Sequence, residues 1–290
     1  MIDLLNKICE TTSDAKILNT FKLDSKCFAM SKPSNEEELV KLINYLKENS
    51  IKYMVLGNAS NVILPPYYDG VVIKLDKFDK YEINDDYVYT ESGVMINKLA
   101  NILVNSGYAG LDFAVGVPGT IGGSVYGNAG CYGSSISEVL ISARVYDGEK
   151  IIELTNEEMK FAYRYSILKD HKNYIVLSCK FRIHKSDINE LKELTIERQN
   201  KRMNSQDLLH PSNGSVFRNP EGLSSGKLID DLGLKGYHVN DAYVSNIHAN
   251  FIINNGHATS DGIIELINQI KIKVKEKYNI DLVLEQEIIE

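Results

Sequence analysis

Glycine is concentrated in one short stretch of the chain, and this is the strongest chemical signal in the sequence. Seven of the 20 glycines lie within 18 residues, between Gly116 and Gly133. Glycine destabilises regular elements, so this density indicates backbone that adopts positive φ or lies close to a ligand. Exposed N–H groups in such a loop form a concave site for an anion such as a pyrophosphate. The spacing equally allows a tight turn that binds nothing.

A second candidate phosphate-binding segment, Gly57–Asn61, directly follows a short apolar run. Small polar residues at the end of a strand can donate backbone and side-chain hydrogen bonds to phosphate oxygens. Neither segment contains a Walker motif or the GxGxxG fingerprint in a strand–turn–helix setting. A dinucleotide, if bound, would therefore bind outside a Rossmann fold.

Strand-like and helix-like segments alternate along the chain, which predicts a mixed α and β structure. A capping box at Ser34–Glu37 predicts a helix over Asn35–Asn49, and Asp147–Gly148 between apolar runs predicts a hairpin. A charged helix, Asp187–Met203, is expected to connect two domains. Further expected strands are Tyr53–Leu56, Val71–Leu75, Tyr174–Ile183, Ala249–Ile253 and Leu282–Leu284. Further expected helices are Ile96–Leu103, Thr155–Phe161 (opened by a second capping box), Gly226–Leu232 and Ser260–Lys277.

The composition excludes several classes of protein. Hydrophobic residues are 43% and charged residues 24% of the chain, as in packed globular proteins. A net charge of −7 argues against a general nucleic-acid binder. The sequence predicts no membrane span and no secretory signal. The four cysteines form no Cys-x-x-Cys pair, which argues against a zinc site or disulfide framework and predicts reduced thiols in the cytoplasm.

Several motifs, taken together in their order, resemble the UDP-N-acetylenolpyruvoylglucosamine reductase family. The resemblance covers roughly residues 20 to 288. Its motifs are Leu56–Asn61 (LGNASN), Gly116–Gly130 (GVPGTIGGSVYGNAG), Tyr163–Ser166 (YRYS), Gly214–Pro220 (GSVFRNP), Gly226–Asp230 (GKLID), His248–Phe251 (HANF) and Leu284–Glu287 (LEQE). Each motif is moderately specific alone, and the complete ordered set is highly specific.

The resemblance implies an α+β fold with an FAD-binding region of the vanillyl-alcohol-oxidase/PCMH type. That region has two α+β subdomains, which we place at residues 1–73 and 74–190. An α+β substrate-binding domain with a C-terminal catalytic strand then follows at residues 191–290. The length matches the compact form of the family, without the extra insertion in the substrate domain.

The resemblance also implies the reaction. Members of the family use NADPH and non-covalent FAD to reduce the enolpyruvyl group of UDP-N-acetylglucosamine-enolpyruvate, which gives UDP-N-acetylmuramate for peptidoglycan. The flavin carries the hydride, while the protein must orient it, stabilise an enolate and supply a proton. The expected partner is this small-molecule substrate in the cytoplasm, with no nucleic acid, membrane or obligatory protein partner and no metal.

The family's site residues map onto positions of this chain. By resemblance, Ser215 is the proton donor, Arg164 pairs with the substrate carboxylate, and Glu287 completes the site. Without the family these would be a loop hydroxyl, an ordinary ion pair and a solvated carboxylate. The implied FAD-binding residues are Gly57, Asn58, Ala59, Ser60, Asn61, Gly116, Pro118, Gly119, Thr120, Gly122, Gly123, Ser124, Asn128 and Gly130. The implied substrate-binding residues are Tyr163, Asn219 and Arg202.

The sequence departs from the family pattern at a few positions. Ala59 stands where members usually have glycine, and we expect alanine to be tolerated there only if φ is negative. Asp207 stands where proline is common, and the tail after Glu287 is short. Two alternatives remain at this point. One is an FAD-dependent oxidase of a small alcohol or sugar, and the other is a non-enzymatic nucleotide-binding protein on the same scaffold.

Overall fold

A computed structural model describes residues Met1–Glu290, which form two compact units. Unit 1 and unit 2 are interleaved along the chain, because two short early segments group with the C-terminal residues. Unit 1 contains Met1–Ser13, Ala29–Asn58 and Gly70–Gln199, and unit 2 contains Asp14–Phe28, Ala59–Asp69 and Asn200–Glu290. The division into three domains at residues 73 and 190 stays a prediction.

The regular elements are numbered in chain order. The helices are α1 (Ile2–Asn6), α2 (Glu36–Glu48), α3 (Ile96–Asn105), α4 (Ile121–Tyr126), α5 (Ile136–Val139), α6 (Ile188–Ser205), α7 (Ser225–Asp231) and α8 (Ser260–Tyr278). The strands are β1 (Glu10–Lys16), β2 (Lys26–Lys32), β3 (Tyr53–Val55), β4 (Val62–Ile63), β5 (Tyr67–Ile73), β6 (Tyr81–Ile83), β7 (Tyr87–Glu91), β8 (Tyr108–Ala109), β9 (Gly130–Cys131), β10 (Ser134–Ser135), β11 (Leu140–Tyr146), β12 (Ile151–Thr155), β13 (Ile175–Arg182), β14 (His184–Lys185), β15 (His238–Val239), β16 (Ala242–Val244), β17 (Ile252–Asn254) and β18 (Glu287–Ile288). Asp112–Ala114 and Ile167–Lys169 form 3-10 turns. None of the helices combines the length and apolar character needed to cross a bilayer.

The predicted helix near residue 35 is confirmed as α2, but its cap lies one residue later than expected. Asn35 is the N-cap, and its Oδ1 accepts a hydrogen bond from the Glu38 N–H at 2.9 Å. The Glu38 carboxylate in turn accepts from the Ser34 N–H at 2.6 Å. Both bonds of a capping box are thus formed, but the side-chain acceptor at the N-cap is Asn35 and the carboxylate is that of Glu38. The helix therefore starts at Glu36.

Two predicted elements are wrong. At Thr155 and Glu158 the capping bonds form, but the residues that follow make only turns, and Lys160 has a φ of +47° that ends any helical path. The predicted strand at Leu282–Leu284 is also wrong, because Leu284 makes only an isolated bridge with Phe217. The terminal strand is β18, since only there does a partner strand, β4, supply a ladder.

Unit 1 contains one complete sheet and part of the strands of a second. A five-stranded antiparallel sheet has the order β12–β11–β13–β7–β6, and the predicted hairpin at Asp147 joins β11 to β12. A second sheet has the order β1–β2–β5–β3, in which β3 and β5 run parallel. The helix α3 buries one apolar face, with Leu99 and Leu103 fully covered in the unit's main core. This core supports the glycine-rich residues that follow α3.

Unit 2 is built around α8. Its buried face, which includes Ile263, Leu266 and Ile270, belongs to one apolar core with residues of the antiparallel sheet β15–β16–β17. Thr259 caps the start of α8 by accepting a hydrogen bond from the Gly262 N–H at 3.1 Å. The parallel pair β18–β4 lies in the same unit, with Glu287 opposite Val62. The C-terminal residues are therefore part of an ordered pair of strands.

The part of helix α6 that lies in unit 1 is held there by an arginine. Arg198 donates to the Asp112 carboxylate at 2.6 Å, and its guanidinium lies 5.2 Å from the ring centre of Tyr132. The Tyr132 hydroxyl donates to the Arg198 carbonyl at 2.8 Å. The side chains of Arg198 and Asp112 are 19% and 17% exposed. Arg198 therefore anchors α6 within unit 1.

Replacing Asp112 by asparagine should lower the free energy of unfolding by ~2 kcal/mol at neutral pH, because Arg198 would lose its charged partner. Burial alone would raise the pKa of Asp112, but hydrogen bonds from the Gly110 N–H and Arg198 outweigh it and lower the pKa. The stabilisation is therefore present above the unfolded pKa and is lost as pH falls through the lower folded value. Urea midpoints of wild type and variant should converge in acid; a difference that is constant with pH would contradict this.

Candidate functional site

The two glycine segments singled out in the sequence meet at Gly57. This residue follows β3, and a Cβ atom placed on it would lie 2.7 Å from Thr120 Oγ1. Any larger residue would push the two segments apart, so glycine is required here by close approach. Thr120 is buried and caps α4, with its Oγ1 accepting from the Gly123 N–H at 3.3 Å. Gly57 and Asn58 therefore lie beside the start of α4 within unit 1.

The glycine-rich stretch uses several of its N–H groups inside the protein. The Ile121 N–H donates to the Val94 carbonyl and the Gly122 N–H to the Ser92 carbonyl, at 2.8 and 2.9 Å. A Cβ on Gly122 would lie 3.2 Å from the Ser92 Cβ, so this glycine allows close packing. Gly119 adopts a φ of +139°. The open row of N–H groups inferred from the sequence is thus interrupted at residues 121 to 123.

The end of the glycine stretch is joined to the YRYS segment. The buried amide of Asn128 donates to the Ala162 carbonyl at 2.9 Å and accepts from the Ser137 N–H at 3.0 Å. Asn128 itself has a φ of +45°, as asparagine tolerates. Ser124 is buried, and its carbonyl accepts from the Ala129 N–H at 2.8 Å. Asn128 and Ser124 therefore shape the loop, whatever else they bind.

Arg164 lies in an unusual backbone conformation. Its φ is +56°, in the left-handed region that costs a non-glycine residue about 1–2 kcal/mol. Its guanidinium donates to the Gly130 carbonyl at 3.2 Å and lies 5.2 Å from the ring centre of Tyr163, which is itself half-exposed. Strain of this kind persists where surrounding contacts fix the residue, and it is concentrated at functional sites. The predicted carboxylate-binding arginine is thus oriented by Gly130 and Tyr163.

Ala59 contradicts the expectation of a negative φ. Its φ is +50°, and the residue is buried in unit 2. The Thr20 hydroxyl donates to the Ala59 carbonyl at 3.5 Å and also contacts Asn213 Oδ1, whose amide donates to the Val62 carbonyl at 2.7 Å. These contacts fix a turn that glycine would adopt without strain, so the alanine is tolerated at a cost.

Ala59→Gly should raise the free energy of unfolding by about 1 kcal/mol, since it removes the left-handed strain of a β-carbon. Urea unfolding of the apoprotein is the measurement. Ala249→Gly is the matched control, because Ala249 is equally buried but lies outside the left-handed region. That control should lose stability, and a loss of similar size in Ala59→Gly would refute the strain.

The predicted proton donor, Ser215, lies in a segment that is hydrogen-bonded to Asn250 on one side and to Gln286 on the other. It forms a bridge with Phe251, and the Val216 N–H donates to the Asn250 carbonyl at 2.9 Å. On the other side, the Gln286 amide donates to the carbonyls of Gly214 and Ser215, both at 3.3 Å. Gln286 is buried, and its Oε1 has no protein partner. Ser215 is therefore fixed to the C-terminal segment by the residue that precedes Glu287.

Glu287 is brought beside the candidate cofactor segment by β18. The Glu287 N–H donates to the Asn61 carbonyl at 3.0 Å, and the Asn61 amide donates to the Glu285 carbonyl at 3.1 Å. Residues 59 to 61, the Ser215 segment and Glu287 are thus joined in unit 2. Sequence reasoning missed Gln286, Thr20 and Asn213 as the residues that make these joins, although the LEQE motif contains Gln286.

The predicted substrate-binding residues in unit 2 show contacts within their own segments. Asn219 is exposed, and its Oδ1 accepts from the Ser225 N–H at 3.1 Å near the start of α7. Arg202 lies on α6, where its Nε donates to Gln206 at 3.0 Å. Substrate binding by Tyr163, Asn219 and Arg202 stays a prediction.

Burial lowers the pKa of His248, whose Nδ1 accepts a hydrogen bond from the Asn250 N–H at 3.2 Å.

Two features of unit 1 fit a dinucleotide such as FAD. Gly57 and Asn58 lie just beyond the carboxyl end of β3, which pairs in parallel with β5. Ligands of α/β proteins bind at the carboxyl ends of such strands. Gly119, which has a positive φ and no β-carbon, adds a second stretch of backbone that a ligand could approach closely. These residues could hold a pyrophosphate.

Comparisons with known proteins agree with this arrangement. Residues 29–153 match the family described as "FAD binding domain", and residues 205–289 match "UDP-N-acetylenolpyruvoylglucosamine reductase, C-terminal domain". The UDP-N-acetylenolpyruvoylglucosamine reductase of Clostridium novyi is 40% identical over 94% of this chain and 90% of its own. That of Caldanaerobacter subterraneus subsp. tengcongensis is 36% identical over 99% and 98%.

Solved structures agree on the fold. The reductase of the same name from Thermus caldophilus superposes with a TM-score of 0.82 at 28% identity, covering 97% of this chain and 99% of its own. A solvent-stable cholesterol oxidase covers 64% of this chain and 40% of its own, with a TM-score of 0.51 at 15% identity, which shows the fold alone. The fold is α+β, with an FAD-binding region of the vanillyl-alcohol-oxidase/PCMH type and a C-terminal α+β domain. The chain belongs to the UDP-N-acetylenolpyruvoylglucosamine reductase family.

Proposed function

We propose that this chain reduces the enolpyruvyl group of UDP-N-acetylglucosamine-enolpyruvate to UDP-N-acetylmuramate, a peptidoglycan precursor, with NADPH and non-covalent FAD. The observation that carries the proposal is the joining of Ser215, Glu287 and residues 59 to 61 in unit 2. Gln286 bonds the Ser215 segment, and the Glu287 N–H bonds Asn61. The expected proton donor, acidic residue and cofactor segment therefore share one hydrogen-bonded framework.

The residues that would hold FAD are those of the two glycine segments. Gly57 and Asn58 with Gly116, Pro118, Gly119 and Thr120 provide backbone and one hydroxyl in unit 1, and Ala59, Ser60 and Asn61 continue the first segment into unit 2. Gly122, Gly123, Ser124, Asn128 and Gly130 support this framework. When bound, FAD supplies hydride transfer from NADPH to the vinyl carbon of the substrate.

Ser215 supplies the proton in this proposal. A serine hydroxyl is a weak acid, so it can protonate only a strongly basic carbon such as that of an enolate, and only from a fixed position. The bonds on both sides of Ser215, to Phe251 and to Gln286, provide that position.

Arg164 would stabilise the negative charge that develops on the substrate's carboxylate. The planar guanidinium of Arg164 suits a carboxylate, and the Gly130 carbonyl fixes its orientation before the substrate arrives. Preorganised donors of this kind are the main source of stabilisation for developing charge. Glu287, which lies on strand β18, would complete the site beside the cofactor segment.

The experiment that tests the function is an anaerobic titration followed by visible absorbance. The purified protein should be yellow, NADPH should bleach it, and UDP-N-acetylglucosamine-enolpyruvate should restore the colour. Recovery of colour only when air is admitted would point to an oxidase and refute the proposal. A protein that stays colourless after FAD is added would leave the nucleotide-binding alternative.

The cellular setting is part of the same proposal. We place the enzyme in the cytoplasm, acting alone on small molecules, since its substrates are nucleotide-linked precursors. Tyr163, Asn219 and Arg202 are proposed to contact the UDP-sugar. Fractionation of cells, with activity assayed in the cytosolic and membrane fractions, tests the location; activity confined to membranes would contradict it.

A further inference from the structure

A buried lysine that has no role in the proposed chemistry lies at the candidate FAD segment. Lys74 follows β5, its side chain is 14% exposed, and its ammonium group donates to the Gly57 carbonyl. Buried lysines are rare because the charged group must leave water, so a buried ammonium needs a compensating partner. A neutral carbonyl compensates a full charge only in part.

The sheet explains why Lys74 reaches Gly57. The strands β3 and β5 are parallel and paired, with Val55 opposite Ile73, so the residues that follow them lie at the same edge of the sheet. The Leu56 N–H donates to the Ile73 carbonyl at 3.0 Å, and the Lys74 N–H donates to the Ser31 carbonyl at 2.9 Å. Lys74 is thus fixed by backbone bonds beside the turn that begins at Gly57.

Gly57 is consequently constrained from two directions. Thr120 Oγ1 occupies the side where a Cβ would stand, and the Lys74 ammonium binds the carbonyl. The remaining charges near Lys74 are sparse: Asp76 lies 3.9 Å from its Nζ, and Lys32 lies 3.5 Å from the other oxygen of the same carboxylate. Lys74 and Lys32 thus share one carboxylate, that of Asp76, so the Lys74 ammonium is only partly compensated.

We propose that Lys74 is a cofactor-positioning residue: it fixes the Gly57 turn and supplies the positive charge that compensates the FAD pyrophosphate. The inference rests on the proposed function, because it needs FAD as the ligand. The Lys74 ammonium, which has Asp76 as its first anionic partner, gains a second one in the pyrophosphate when the cofactor binds. The cofactor in turn meets a cation that is already in position.

The test is the affinity of the apoprotein for FAD, measured by quenching of flavin fluorescence. Lys74→Met should raise the dissociation constant roughly tenfold or more, since it removes both the charge and the hydrogen bond. The matched control is Lys47→Met, because the Lys47 ammonium also donates to a glycine carbonyl, that of Gly148, at 2.6 Å. The control, whose lysine is exposed, should bind FAD as the wild type does.

A pH series separates the charge of Lys74 from a purely structural hydrogen bond. Burial lowers the pKa of Lys74, Asp76 opposes this shift, and Lys32 adds to it. The wild-type affinity for FAD should therefore fall as pH rises through that lowered pKa. Lys74→Arg keeps its charge over the whole range, so its alkaline decline should be absent. Ionisation of the flavin itself is common to both proteins and cancels in the comparison.

The outcomes separate this inference from the proposed function. Equal FAD affinity in wild type and Lys74→Met, or identical alkaline profiles in wild type and Lys74→Arg, would overturn the role of Lys74 while leaving the enzyme's function intact. A wild-type protein that does not bind FAD would remove the proposed function and this role together. If Lys74→Met fails to fold, the pH profiles of wild type and Lys74→Arg decide alone.

Discussion

Replacing Ser215 by alanine should slow reduction of the enolpyruvyl group by about 10²–10⁴-fold while leaving reduction of the flavin by NADPH unchanged. The physical reason is that only the second half-reaction needs a proton on carbon. Loss of one hydroxyl leaves the backbone bonds of the segment in place, since the Val216 N–H and the Ser215 carbonyl make those contacts. Stopped-flow absorbance measures each half-reaction separately.

The matched control is Ser212→Ala, three residues earlier in the same loop. The Ser212 hydroxyl accepts from the Gly214 N–H at 3.5 Å, so its removal perturbs the same segment mildly without touching the proposed donor. Both half-reactions of this control should stay within about threefold of wild type. A Ser215→Ala enzyme that recolours at the wild-type rate would remove Ser215 as the proton donor.

Short-range patterns predicted much of the secondary structure. The hairpin at Asp147 was readable because turn chemistry is local: its carboxylate accepts from the N–H groups of Glu149 and Lys150, both at 2.8 Å. The helix predicted at Thr155 failed although its capping bonds formed. A capping box signals where a helix can begin, but helical stability comes mostly from tertiary packing of an apolar face.

The sequence motifs also predicted some features of the candidate site and missed others. The ordered motifs named Arg164, Ser215 and Glu287, and family membership is now shown. The positive φ of Ala59 was not predictable, because its carbonyl is held by Thr20, which is distant in sequence. The orientation of the Arg164 side chain was not predictable either, because it depends on the carbonyl of Gly130. No sequence pattern indicated a role for Lys74. Its contact with the Gly57 carbonyl arises from the parallel pairing of β3 with β5 and not from a spacing along the chain.

Replacing Arg164 by methionine should lower kcat by about 10²–10³-fold with FAD affinity unchanged. Methionine also carries a Cβ, so the left-handed backbone at this position costs nearly the same in both proteins and the comparison isolates the guanidinium. Arg164→Lys should recover only part of the rate, because a point charge cannot form the paired bonds of a planar fork. Steady-state kinetics with the UDP-enolpyruvyl sugar measures all three enzymes.

The strained backbone sharpens this test. The backbone of residue 164, at a φ of +56°, lies in a turn that Ala162 and Tyr165 close with two backbone hydrogen bonds of 3.1 Å. Those bonds remain when the side chain changes, so the loss should appear mainly in kcat. Arg182→Met is the control, since Arg182 is an exposed arginine at the end of β13 in the same unit, and its kinetics should match wild type. If Arg164→Met and Arg182→Met had equal kcat values, Arg164 would be a structural arginine and the carboxylate would need another partner. If Arg164→Lys restored the full rate, charge alone would suffice and the orientation imposed by Gly130 would have no part in catalysis.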